Sequence, residues 1–149
     1  MDYHVSKTEF GEKPNFEYPK PIFIEELGEE GLKKLFNEFY DLIVDSDIGN
    51  FFPQEEEELE KVKAHNVKFF IEAAGGPKHY SETVGHFDMV KAHEPFSITE
   101  KARREWLGTM EEVLRKTDIS DEAKQSFWDF LERFSKHTVN TPVSEDFKI

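Results

Sequence analysis

Residues 75–110 read Gly-Gly-Pro-Lys-His-Tyr-Ser-Glu-Thr-Val-Gly-His-Phe-Asp-Met-Val-Lys-Ala-His-Glu-Pro-Phe-Ser-Ile-Thr-Glu-Lys-Ala-Arg-Arg-Glu-Trp-Leu-Gly-Thr-Met. The opening Gly75-Gly76-Pro77 is a helix stop: glycine accepts the left-handed backbone that ends a helix, and proline cannot continue one. His93 stands two residues before Pro95, whose ring disfavours helical backbone at the residue between them. The histidine therefore sits near a helix end, where its backbone can be held and its ring aimed. The stretch closes in a strongly amphipathic helix, 99–115, with Trp106, Met110 and Val113 or Leu114 on its inner face. This is where the sequence concentrates its chemistry.

Working outward, residues 1–20 contain Gly11, Pro14 and Pro19 and no periodicity, which predicts a loosely ordered arm. From Ile22, apolar residues at Leu32, Leu35, Phe36, Phe39, Tyr40 and Ile43 follow helical spacing, with a break expected at Gly28 and Gly31. Residues 45–50 are turn chemistry, and Phe51-Phe52-Pro53 places two rings at a corner. The four acids Glu55 to Glu58 suit the positive end of the next helix, a solvated start. That helix carries Val62, Asn66, Phe69 and Phe70 on one face up to the glycine stop. A last helix is expected from Asp121 to Val139, with Phe127, Phe130, Leu131 and Phe134 inside, and a frayed tail after it.

These elements make an all-α chain of one domain, residues 21–140, between the arm (1–20) and a tail (141–149). The 149 residues include 15 phenylalanines, enough for a wide aromatic interior that serves as core or as a pocket for a flat apolar ligand. With 32 acidic against 19 basic residues the net charge is −13, which repels nucleic-acid and anionic membrane partners. The absence of cysteine excludes disulfides, iron–sulfur clusters and thiolate or covalent haem attachment, leaving His, Tyr, Asp or Glu to hold any metal. No apolar run resembles a signal peptide or a membrane span, so a cytoplasmic protein is expected. His79, His86 and His93 recur every seven residues, but Gly85, Pro77 and Pro95 argue against the continuous helix that a three-histidine metal site would need.

In order along the chain stand Phe39-Tyr40, Phe52-Pro53, Gly75-Gly76-Pro77, Tyr80, Gly85-His86, His93-x-Pro95-Phe96-x-Ile98, Trp106-Leu107, Met110 and His137-x-x-Asn140. This series resembles the truncated haemoglobins, most closely their second group, over about 115 residues from Leu27 to Asn140. The specific part is a histidine 18 residues after the first glycine, Pro-Phe close behind it, and a tryptophan 13 residues further on. The resemblance implies a two-over-two helical sandwich clasping haem b non-covalently, with His93 as the proximal iron ligand. It maps the distal donors onto Tyr40 and Trp106, with Asn66 as a third polar group. Phe52, Val62, Phe69, Phe70, Tyr80 and Phe96 would surround the cofactor, and His65 and Lys91 are candidates for its propionates. His65 is alternatively a sixth iron ligand. For Tyr40, Trp106 and the phenylalanines, ordinary core packing predicts the same burial.

The chain departs from the family pattern at Ala92, where an arginine is usual, and at Phe87-Asp88, where the family has proline. What the resemblance implies about function is reversible binding of dioxygen and other diatomic ligands (NO, CO), as a monomer or homodimer. A haem enzyme acting on nitric oxide or peroxide is the alternative; the chain has no flavin or nicotinamide glycine motif, so it would need an external reductase. Without the His93 constellation the default is a haem-free helical interaction module.

Overall fold

The computed structural model describes residues 1–8, 12–83 and 98–141. The His93 segment, with Lys91 and Phe96, lies outside the described residues, as does most of the tail. Among the described residues five α-helices form: α1 (Pro21–Ile43), α2 (Glu56–Ala73), α3 (His79–Thr83), α4 (Glu100–Lys116) and α5 (Asp121–Phe134). Single 3-10 turns follow α1 and α5, at Gly49–Phe51 and Ser135–Thr138. Among the described residues there is no strand, and no helix is long and apolar enough to cross a membrane.

α1 is central and packs against α2, α4 and α5. Its inner stripe is the one expected from spacing: Leu32, Leu35, Phe36, Phe39, Tyr40 and Ile43 are all buried. The break falls at Gly28 alone, whose φ of 74° is outside the helical range, while Gly31 continues the helix. α2 ends as the glycine stop predicts. Gly75 takes φ 94°, its N–H donates to Glu72 O, and Gly76 N–H donates to Ile71 O at 2.9 Å, the paired bonds of a Schellman cap.

α4 and α5 start on side-chain caps. Thr99 Oγ1 accepts from Ala102 N–H at 3.1 Å and Ser120 Oγ from Ala123 N–H at 3.2 Å. α5 stops at Phe134, earlier than the pattern suggested, because the chain tightens there into a 3-10 turn. Its buried residues cover two sides: Phe127, Phe130, Leu131 and Phe134 face the core, and Trp128 and Glu132 are buried as well.

The arm is not loose where it is described. Trp128 Nε1 donates to His4 O at 2.8 Å, Tyr3 meets the Trp128 ring edge-on at 5.1 Å, and Arg115 lies over the Tyr3 ring at 4.5 Å. His137 Nε2 bonds Pro14 O at 2.7 Å, and Phe16 packs edge-on against Phe134. These contacts explain the order: every anchor is a residue more than ninety positions away, which periodicity within the arm cannot reveal.

Candidate functional site: an aromatic cavity with convergent donors

A cavity of about 600 Å³ opens between the helices, within the size range of about 300–1,000 Å³ usual for small-molecule and cofactor sites. α1 contributes Tyr40, and the corner after it contributes Ile48, Phe51, Phe52 and Pro53. α2 contributes Val62, Asn66, Phe69 and Phe70. The opposite wall is Ile98, Ala102, Arg103 and Trp106, closed by Leu131, Phe134, Ser135 and Thr138. Stacked rings give it flat walls: Phe69 lies against Phe134 at 5.5 Å and 28°, and Phe70 against Phe36 at 4.8 Å and 20°.

The polar groups converge. Asn66 Nδ2 donates to Tyr40 Oη, so the phenol oxygen is used as an acceptor and its own hydrogen remains for the cavity. Phe52 braces the Tyr40 ring edge-on at 5.7 Å. Burial pushes the Tyr40 phenol up to about 12, with the Asn66 bond pulling the other way, so it is neutral and carries its proton at physiological pH. Trp106 leans on Phe39 at 5.0 Å and lines the cavity. Its indole N–H has no acceptor among the described residues.

Seven predicted site residues therefore line one cavity: Tyr40, Phe52, Val62, Asn66, Phe69, Phe70 and Trp106. Tyr80 stands behind the wall, edge-on to Phe69 at 5.7 Å. His65 is exposed on α2, at the edge of the Val62 and Phe69 face, and is not among the residues that line the cavity. His93, Lys91 and Phe96 fall outside the described residues, but both flanks of their segment are pinned. Upstream, Ser81 N–H donates to Glu72 Oε1 at 2.9 Å and Ser81 Oγ donates to Glu72 Oε2. Downstream, Ile98 N–H donates to Asn140 Oδ1 at 2.9 Å, and Asn140 N–H returns to Ile98 O at 3.0 Å.

The sequence reading missed Arg103 and Ser135 in the wall. Arg103 precedes Trp106 by three and Leu107 by four, the inward spacing of α4, so position alone could have found it. Within its network Nε donates to Ser135 Oγ at 2.9 Å, Nη1 to Glu100 Oε1 at 2.9 Å, and Nη2 to Glu132 O at 2.6 Å.

A large flat-walled apolar cavity, with a few donors grouped on its walls, fits a flat apolar cofactor whose small ligand accepts hydrogen bonds. Similar proteins carry the same architecture. The profile of the bacterial-like globins matches residues 23–140. The group 2 truncated hemoglobin YjbI of Bacillus subtilis is 28% identical over 123 residues, 82% of this chain and 91% of that protein. The crystal structure of phosphate-bound Hell's gate globin IV superposes with a TM-score of 0.85 at 27% identity, covering 95% of this chain and 89% of that one. The group II truncated hemoglobin of Bacillus anthracis gives a TM-score of 0.77 at 26% identity, over 90% and 98% of the two chains.

Proposed function

The chain belongs to the bacterial-like globin family, as a group II truncated haemoglobin with the two-over-two fold, and from that premise we propose that it holds haem b through His93 and reversibly binds dioxygen and other diatomic ligands. The family supports haem, and the cavity supports it independently through size, flat aromatic walls and apolar lining. When bound, the haem iron supplies the coordination position at which a diatomic ligand is held. Phe52, Phe69 and Phe70 would pack the cofactor's faces and edges, Val62 would keep the approach apolar, and Lys91 and His65 would meet its propionates.

The observation that carries the reading is the Asn66-to-Tyr40 hydrogen bond beside the Trp106 indole, whose N–H has no acceptor among the described residues. Asn66 fixes the phenol oxygen, so that the Tyr40 O–H points its proton at a ligand instead of at the protein. Trp106 N–H supplies a second donor. In a mainly apolar cavity, each bond of ordinary net strength contributes about 1 kcal/mol, and two together slow ligand escape by a factor of roughly 30. These donors suit retention better than rapid exchange. Oxidation of nitric oxide by the retained dioxygen is open to the same pocket, with electrons for repeated turnover drawn from a separate reductase.

Titration of haem into the haem-free protein tests the reading. Saturation at one haem per chain with a sharp Soret band is expected; a protein that takes up no haem would leave only a helical interaction module.

A further inference from the structure

Resting on that reading, we infer that the N-terminal arm reaches the ligand pocket through a buried charge relay, in which Ser6 and Glu132 are positioning residues acting through Arg103. Arg103 occupies the cavity wall three residues before Trp106, and its side chain is fully buried. A guanidinium is tolerated there only if its donors are occupied. α4 itself supplies one acceptor, Glu100 Oε1, and α5 with the turn after it supplies Ser135 Oγ, Glu132 O and the Glu132 carboxylate at 3.3 Å. The arm supplies Ser6 O, which accepts from Arg103 Nη1 at 3.2 Å.

The arm also holds the acids in place. Ser6 N–H and Oγ both donate to Glu132 Oε1, at 2.9 and 2.7 Å, and Lys136 Nζ donates to Ser6 Oγ at 2.7 Å. Thr8 N–H donates to Glu100 Oε2 at 3.0 Å, while Arg104 Nε reaches the same oxygen at 3.2 Å. Both carboxylates that flank Arg103 are thus held by the arm, Glu100 through its second oxygen and Glu132 through the same oxygen that faces Nη2. α5 carries the relay on its arm side and the cavity on its core side, so a shift of Arg103 moves the wall that Trp106 shares. The geometry sets Ser6 and Thr8 directly behind the pocket's wall, on Arg103 and its acids, and gives the arm a role in ligand retention.

Two variants break the relay without removing the guanidinium: Ser6→Ala takes a donor from Glu132, and Glu132→Gln takes the charge from beside Nη2. Asp129→Ala is the control, because it removes the arm's exposed contact with His4 at 2.8 Å and touches neither Arg103 nor its acids. Three quantities are read on each: dioxygen dissociation rate, the C–O stretching frequency of the ferrous carbon monoxide complex, and hydrogen exchange at Arg103 Nε–H in the haem-free protein. The relay predicts roughly fivefold faster dissociation, the loss of one ordinary hydrogen bond's worth of retention, together with a shifted stretch and faster Nε–H exchange, in the first two variants and not in the control. If the first two variants melt at lower temperature yet keep the wild-type rate and stretch, the network only holds the fold together and the inference is overturned. A wild type that takes up no haem removes the functional reading and this inference with it, which normal haem uptake distinguishes.

Discussion

Replacing Tyr40 by phenylalanine removes one oxygen from the cavity and leaves the ring's packing against Phe39 and Phe52 in place. Two consequences follow from the geometry. The ligand loses the O–H donor that Asn66 leaves available, and Asn66 Nδ2 loses its acceptor. A neutral donor contributes about 1 kcal/mol net, and one that meets developing negative charge about 1.5–3 kcal/mol. The dioxygen dissociation rate is therefore expected to rise between roughly fivefold and a hundredfold. Association should change little, because Val62 and the aromatic walls that shape the approach are untouched. Stopped-flow displacement of dioxygen by carbon monoxide measures the rate directly, and Trp106→Phe and the double variant complete a cycle that separates the two donors. If Tyr40→Phe dissociates no faster than wild type, the phenol proton does not reach the ligand and the distal assignment is wrong.

Tyr40 also makes stability fall on the alkaline side. Its native value of about 12 lies above the ordinary phenol value of 10, so between these the unfolded chain ionises first and gains relative to the fold. About two units correspond to roughly 3 kcal/mol lost from pH 10 to 12, and chemical unfolding of Tyr40→Phe should lack that limb. On the acid side, burial raises the Glu132 carboxyl, but the Ser6 bonds, Lys136 and Arg103 together hold it below the usual glutamate range. Its stabilising contribution is present above that range and is lost as pH falls through the lowered native value; Glu132→Gln should flatten the acid unfolding profile there. Gly75→Ala meets open space, so its cost is the left-handed backbone alone, about 1–2 kcal/mol, seen as a lower melting temperature. Asn140→Ala removes the acceptor from Ile98 N–H and should cost about 1–3 kcal/mol while weakening haem retention, measured by transfer to a haem scavenger.

Much of this architecture is legible in the chain because its causes are local. The inner stripe of α1, the glycine stop after α2 and the acidic first turn of α2 each follow from residues within a turn or two of one another. Tyr40, Asn66 and Trp106 converge because each lies on an inward stripe, and the family pattern says which stripes face each other. The place of Arg103 on the inner stripe of α4 is legible, but its burial as a charged group, with that of Glu100 and Glu132, was not, for the opposite reason. Charged residues on an amphipathic helix ordinarily face water, and these are buried because partners 29 to 126 positions away satisfy them. Trp128 was missed in the same way: it needs the arm over it, and the arm's prolines and lack of period disguised a segment held by distant side chains. The early end of α5 reflects the chain tightening at Ser135, whose hydroxyl serves Arg103 instead of continuing a helix face.

The central claim is that His93 holds the haem that Tyr40 and Trp106 overlook. The absorption spectrum of the haem-reconstituted protein in its ferrous and carbon monoxide forms, compared among wild type, His93→Ala and His65→Ala, tests it most directly. The account predicts a histidine-ligated spectrum in wild type and in His65→Ala, lost in His93→Ala and regained there on adding imidazole. An unchanged histidine-ligated spectrum in His93→Ala would contradict it.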